Sequence, residues 1–235
     1  MGQPRILGIC GAPGTGKTTL AGWLTRKLAA AQRNAELLPE LARMLTERGV
    51  HIDGAMREAD YDAFLAAYEE RDRSVLAPLA IADRTPVDHC SYLLVNQNIA
   101  PEFLQRHQEI ALAALLRYRV MLYLPIQFPI KDNGFRETSP VYQRALDTAI
   151  TGMLERVDVP IIEIRGNKTN GSVFYWRRWN DTGRSCLSDK PVLEPVNTVS
   201  AAKKQQTDRQ FTKWKLGLFG KFLGSLSNHL LNYPV

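Results

Sequence analysis

The residues best suited to chemistry in this sequence form one short glycine-rich run near its amino terminus. The run satisfies the pattern GxxxxGK[ST], is followed by Thr19, and reads Gly11-Ala12-Pro13-Gly14-Thr15-Gly16-Lys17-Thr18. Its glycines let backbone N–H groups point at phosphate oxygens, because no side chain blocks a close approach. Lys17 can add a positive charge toward the β- and γ-phosphates, and the Thr18 hydroxyl can coordinate Mg²⁺. The run therefore predicts a cradle for a nucleoside triphosphate.

The elements around this run are the ones that such a cradle requires. An apolar strand is predicted at 5–10, and Leu20, Leu24 and Leu28 recur every four residues after the run, which predicts a helix. A phosphate bound between the two would face the positive end of the helix dipole. The alternative is a glycine-rich turn that binds nothing, and the agreement of position, residue identity and flanking elements argues against it.

The first 165 residues alternate short apolar runs with helical patterns, which predicts an α/β fold with a doubly wound parallel sheet. Five strands are predicted, at 5–10, 35–38, 79–83, 120–124 and 159–164. Tyr61, Leu65 and Tyr68 predict a long helix before the third strand, with Asp60 and Asp62 on its solvent face. Two helix starts are also predicted, at Thr85-Pro86 with Asp88 as a cap and at Ser139-Pro140.

Charged residues follow the second and third strands, at the sheet edge where ligands of such folds bind. Asp83 ends the third strand and is suited to holding Mg²⁺, while Glu40 is a candidate base or orienting group for an acceptor hydroxyl. Arg84 would then pair with phosphate or substrate. Arg43 could hold a substrate phosphate or hydroxyl, with a solvated helix face as the alternative.

The residues after the third strand also separate classes of nucleotide-binding protein. Arg84 stands where an AAA+ motor usually has a water-activating glutamate, and Pro86 stands where a GTPase would have the glycine of Asp-x-x-Gly. The run at 167–170 reads NKTN, so it lacks the acid of the guanine-reading NKxD motif. Neither a motor nor a GTPase is favoured.

Taken together, these residues resemble the P-loop nucleoside and nucleotide kinase group, and most of all the AAA-type domain of the ribosylnicotinamide kinases in NAD-regulator proteins. The resemblance covers residues 5–166. It rests on GAPGTGKTT at 11–19, on ELAR at 40–43, on DRTPVD at 83–88 with Tyr92, and on NGFR at 133–136 with Arg144. The family's Asp-Gly-x-Arg differs here, since Asn133 precedes Gly134.

The resemblance implies a strand order of 2-3-1-4-5 and an enzyme that uses ATP and Mg²⁺. Its reaction would move the γ-phosphate to a hydroxyl or phosphate of a small molecule of nucleoside, nucleotide or ribosylnicotinamide-like type. The resemblance also implies a lid at 126–138, where Lys131 and Arg136 would stabilise the transferred phosphoryl group, and a contact from Arg144 to the nucleotide. A solvated polar loop at 126–138 is the alternative.

The carboxyl-terminal part of the chain has a different composition. Residues 1–165 hold 19 Lys and Arg against 20 Asp and Glu, whereas residues 166–235 hold 11 against 4. We therefore predict a kinase domain at 1–166, an irregular basic and aromatic segment with linker at 167–210, and an amphipathic helix at 211–235. The aromatic and arginine run at 174–179 could stack on nucleotide rings or pack as a hairpin on the core.

The basic tail leaves a second function open, a nucleotide-binding regulatory switch whose tail contacts a membrane surface or nucleic acid. Docking of the terminal helix on the kinase core is the alternative for that segment. The three cysteines share no metal-ligand or disulfide spacing, and neither a signal peptide nor a transmembrane span is recognisable, so a cytoplasmic location is expected. The four histidines show no ligand spacing either.

Overall fold

The computed structural model describes residues 5–52, 56–96, 98–127, 129–130 and 139–165, with the backbone of 175–178. The elements follow one another as β1 Arg5–Cys10, α1 Lys17–Ala30, β2 Ala35–Leu38, α2 Ala42–Glu47, α3 Glu58–Arg73, β3 Leu79–Asp83, α4 Pro86–Val95, α5 Pro101–Ala114, a 3₁₀ turn Leu115–Arg117, β4 Tyr118–Tyr123, α6 Pro140–Leu154, β5 Ile161–Arg165 and β6 Tyr175–Arg178. The chain divides into two compact units at Lys190, and the second, at 191–235, lies outside the described residues.

The described strands form one sheet in the order β2-β3-β1-β4-β5-β6. β1 to β5 pair in parallel, so the predicted α/β fold and the order 2-3-1-4-5 are confirmed. β6 pairs antiparallel with β5, with Ile162 opposite Arg178. This strand lies in the segment predicted to be irregular, at the run for which packing as a hairpin was one alternative.

The predicted bounds of two strands, β4 and β5, differ from the observed ones at both ends. β4 begins at Tyr118 rather than at Val120, and the Tyr118 hydroxyl is buried against Asp72. β5 begins at Ile161 rather than at Val159. Pro160 has no N–H with which to enter the ladder, although its carbonyl still accepts a hydrogen bond from the Met121 amide.

Apolar residues at the predicted spacings cover the sheet. Leu20, Leu24 and Leu28 of α1 are buried, and so are the aromatic and leucine positions predicted for α3. The placement of Asp60 on the solvent face was wrong, because its carboxylate accepts the Arg57 amide and caps α3. Asp62 is exposed, as predicted. Of the helices in the described ranges, none combines the length and apolarity needed to cross a membrane.

Candidate active site

The phosphate loop joins β1 to α1 and has the backbone geometry that its glycines permit. Gly16 is the N-cap of α1 with φ +95°, a left-handed conformation that a residue with a Cβ adopts at a cost. At Gly11 the constraint is space, since a Cβ there would overlap the carbonyl oxygen of Leu124. Thr18 and Thr19 are exposed in the first turn of α1. The open end of the loop therefore presents a helix N-terminus and two hydroxyls to solvent.

Lys17 closes the loop on itself in this structure. Its ammonium donates to the carbonyl oxygens of Gly11 and Ala12, the second at 2.8 Å, and lies 3.9 Å from the carboxylate of Asp88. The side chain is only 5% exposed. Burial, followed by the nearby charge of Arg84, lowers the pKa of Lys17 to about 8. Lys17 is thus still mostly charged at pH 7, but it loses its proton at a lower pH than an exposed lysine does.

Asp88 connects the loop to α4. It forms the predicted capping box, accepting hydrogen bonds from the amide and the hydroxyl of Thr85, both at 2.9 Å. Its other oxygen accepts the amide of Gly11 at 3.1 Å. Burial raises the pKa of this carboxyl. The sequence indicated that Asp88 caps the helix. It gave no sign that Asp88 also contacts Gly11, which lies 77 positions earlier in the chain.

Asp83 ends β3 beside the loop, with its Cα paired to that of Ile9 in β1. The residue is 3% exposed, and its Oδ1 has no hydrogen-bond partner among the described residues. A buried carboxylate oxygen without a donor is costly, and an oxygen ligand of this kind suits a divalent cation. This oxygen is the observation in the site that fits Mg²⁺.

Glu40 and Arg84 form an ion pair at the ends of the neighbouring strands β2 and β3. The distance between Arg84 Nε and Glu40 Oε1 is 2.6 Å, with side-chain exposures of 8% and 22%. Burial lowers the pKa of Arg84, but charged neighbours that include Glu40 and Asp88 outweigh it, so that the pKa is raised overall. Arg84 has φ +74°, and its amide donates to the carbonyl oxygen of Ile9. The pair is therefore held rigidly beside Asp83.

A second contact supports the loop from α6, and the sequence did not reveal it. Gln143 donates from Nε2 to the carbonyl oxygen of Pro13 at 2.6 Å, and Gln143 is itself buried. α6 starts at the predicted cap, because the Ser139 hydroxyl accepts the amide of Tyr142. Thr15 also turns inward and donates to the carbonyl oxygen of Ala12.

The other predicted residues are exposed or lie beyond the described ranges. Arg43 is exposed on α2, which corresponds to the solvated alternative. Arg144 is exposed on α6, one residue after Gln143. Lys131 and Arg136 belong to 131–138, and the predicted lid is thus largely outside the described residues.

Comparison with known proteins shows what this arrangement is similar to. A family model for the AAA domain matches residues 7–170. A NadR protein in complex with NAD and AMP-PNP has a TM-score of 0.53 at 16% identity, over 69% of this chain and 44% of that one. A NadR protein in complex with NR gives 0.55 at 18% identity, over 72% and 48%. This chain thus spans a little under half the length of those proteins.

A shorter solved structure is similar along most of its length. Deoxyadenosine kinase from M. mycoides, with the products dCMP and a flexible dCDP bound, has a TM-score of 0.51 at 16% identity, over 68% of this chain and 90% of that one. A comparison with curated protein sequences found no match. The fold is that of the P-loop nucleoside and nucleotide kinases.

Proposed function

The chain belongs to the AAA domain family, and from that premise we propose that it is an ATP-dependent kinase of a small molecule. The reaction moves the γ-phosphate of ATP to a hydroxyl or phosphate of a nucleoside, nucleotide or ribosylnicotinamide-like acceptor. The observation that carries the proposal is the Glu40–Arg84 ion pair at 2.6 Å beside the phosphate loop. A nucleotide-binding switch needs the loop alone, whereas a kinase also needs a carboxylate to receive the proton of an acceptor.

Lys17 and the loop amides bind the triphosphate in this proposal. The ammonium exchanges its carbonyl partners, Gly11 and Ala12, for β- and γ-phosphate oxygens. The backbone N–H groups of residues 14–19 surround the same anion. Asp88 and Gln143 keep the loop in shape from two sides through the amide of Gly11 and the carbonyl of Pro13. This preorganisation lowers the cost of binding, because the loop is ordered before the ligand enters.

Thr18 and Asp83 are the residues that would hold Mg²⁺. Mg²⁺ in such sites takes one or two protein oxygens and completes its shell with phosphates and water, which agrees with a single carboxylate and a hydroxyl here. When bound, it would neutralise charge on the β- and γ-phosphate oxygens. Thr18 is exposed at the mouth of the loop, and Asp83 Oδ1 has no partner among the described residues that it would have to give up.

Glu40 receives the proton when the acceptor is a hydroxyl. The hydroxyl oxygen forms a bond to the γ-phosphorus, the bond from that phosphorus to the ADP oxygen breaks, and the proton of the hydroxyl passes to the Glu40 carboxylate. Arg84 fixes the direction of this carboxylate through the 2.6 Å contact. Arg43, Arg136 and Arg144 stay in the proposal as further contacts to the acceptor or to the nucleotide.

The acceptor class is proposed from the solved structures of similar fold. NadR was solved with NAD and AMP-PNP and with NR, and the deoxyadenosine kinase with dCMP. All of these ligands carry a ribose or deoxyribose. We therefore place ribosides of nucleobases and of nicotinamide first among acceptors to be tried.

The test is acceptor-dependent release of ADP from Mg·ATP across a panel of nucleosides, nucleotides and nicotinamide riboside. Wild type is compared with Lys17→Ala and Glu40→Gln, and with two matched controls on exposed positions of α1 and α2, Lys27→Ala and Glu47→Gln. We expect turnover with one acceptor class, a loss of ATP binding in Lys17→Ala, and retained ATP binding with about 10²–10⁴-fold lower turnover in Glu40→Gln. Well-folded wild type that binds ATP but turns over with no acceptor would overturn the proposal.

A further inference from the structure

We propose that Arg71, which belongs to no motif of the loop and follows no strand, is a positioning residue that sets the orientation of the Glu40–Arg84 pair. The inference rests on the proposed kinase function. Arg71 lies near the end of α3 and is 7% exposed.

The Arg71 guanidinium bridges the two chain segments that carry the pair. Its Nη1 donates to the carbonyl oxygen of Pro39, the residue before Glu40, at 3.3 Å. Its Nη2 donates to the carbonyl oxygen of Arg84 itself, also at 3.3 Å. One side chain thus ties the end of β2 to the end of β3, directly behind the two groups that would face the acceptor.

Arg71 can do this because its own position is fixed from three sides. The Asp72 carboxylate accepts from Nε at 3.0 Å and from Nη2 at 2.8 Å. The Tyr118 hydroxyl accepts from Nη2 at 3.2 Å and donates to the other oxygen of Asp72 at 2.5 Å. The Tyr68 ring lies 4.8 Å from the guanidinium carbon. These partners offset the free-energy cost of burying the Arg71 guanidinium, so it stays charged.

Arg71 stabilises an unfavourable backbone conformation at Arg84. Arg84 has φ +74°, which is unfavourable for a residue with a long side chain. Its amide is tied to Ile9, and Arg71 secures the carbonyl on the other side of the same residue. Fixing both peptide groups of Arg84 determines where its side chain leaves the chain, and hence where Glu40 is held.

The variant Arg71→Lys distinguishes a positioning role of Arg71 from a role of its positive charge alone. It keeps a cation beside Asp72, so the buried charge remains paired, but a point ammonium cannot reach two carbonyls and a carboxylate in the fixed fork geometry of a guanidinium. Arg71→Lys is therefore the informative variant, and Arg71→Gln removes the charge as well. Arg73→Gln, two residues along α3 at an exposed position paired with Glu69, is the matched control.

The experiment compares full-length wild type, Arg71→Lys, Arg71→Gln, Tyr118→Phe and Arg73→Gln. For Arg71→Lys we expect an ATP Kd within about two-fold of wild type, because the loop is untouched, and a fall in kcat of about 10–100-fold. We expect a smaller fall in Tyr118→Phe, since Arg71 keeps its carbonyl partners, and none in Arg73→Gln. A role confined to stability would lower the melting temperature and leave the kcat of the folded fraction unchanged, which would overturn the inference.

Amide hydrogen exchange gives a readout that does not need turnover. Peptides covering 38–42 and 83–86 should exchange faster in Arg71→Lys than in wild type, together and by similar factors, while peptides of the loop at 11–19 should not change. If wild type shows no acceptor-dependent turnover, the proposed function fails, and this exchange pattern still decides whether Arg71 couples the two segments. Unchanged exchange in both peptides would reject the coupling whatever the outcome for turnover.

Discussion

Nucleotide binding is expected to weaken as the pH rises above 8, because the cation of the phosphate loop loses its proton there. Burial lowers the pKa of Lys17 to about 8 in the free protein, well under the ordinary value of 10.5. A bound triphosphate favours the charged form and raises that pKa again. Binding is therefore linked to the uptake of a proton wherever free Lys17 is partly neutral.

The size of the effect follows from the fraction of free protein that carries the charge. With a pKa of about 8, nearly all Lys17 is charged at pH 7, about half at pH 8 and roughly a tenth at pH 9. The apparent Kd should thus rise about ten-fold between pH 7 and pH 9, which corresponds to roughly 1.4 kcal/mol. The phosphate group titrates near pH 6 and contributes little in this range.

Calorimetric titration with Mg²⁺ and a non-hydrolysable ATP analogue measures this directly. Runs at pH 8 in two buffers of different ionisation enthalpy should report uptake of about half a proton per nucleotide bound. Lys17→Met should bind weakly at every pH and show neither the slope nor the proton uptake. A wild-type Kd that stays flat from pH 7 to 9, or an equal slope in Lys17→Met, would refute the reasoning.

Three further outcomes are expected from the same site and its surroundings. Gly11→Ala should abolish ATP binding in a binding titration, because its Cβ would overlap the Leu124 carbonyl, and an unchanged Kd would contradict that geometry. Asp83→Asn should raise the Mg²⁺ concentration for half-maximal activity about ten-fold or more without lowering the melting temperature, since its Oδ1 has no partner to lose among the described residues. Burial lowers the pKa of His89 to about 3, so the unfolded chain binds more protons below pH 6.5, and stability should fall by several kcal/mol as the pH drops from 6.5 toward 3. Denaturant titrations should show a shallower acid dependence in His89→Phe, and an identical dependence would exclude His89 as its source.

Features that depend on neighbours in sequence were predictable. The phosphate loop is a contiguous motif, and the capping box of α4 lies within four consecutive residues. The strands β1, β2 and β3 are apolar runs, and their predicted bounds agree with the observed ones. Both ends of β4 and of β5 depend on what those residues meet in the fold, and there the predicted bounds were off by one or two positions. Asp60 was misplaced for a related reason, since its helical position suggested solvent while its cap required burial.

Contacts between distant parts of the chain were not predictable from one sequence. The Asp88 contact with Gly11, the Gln143 contact with Pro13 and the Arg71 contact with Pro39 span 77, 130 and 32 positions. Each involves a side chain and a backbone group, and backbone groups leave no trace in residue identity. Sequence therefore indicated the loop and the charged residues that follow the neighbouring strands, whereas the groups that hold those residues became visible only in three dimensions.

Arg84 has a left-handed backbone conformation, so the residue that would be most stable at this position differs from the one that the proposed chemistry needs. Glycine there would relieve roughly 1 kcal/mol of backbone cost and at the same time delete the guanidinium that faces Glu40. A library screened only for thermal resistance should accordingly enrich small or asparagine-like residues at position 84 and yield inert proteins. Thermostabilisation of this protein would have to begin elsewhere.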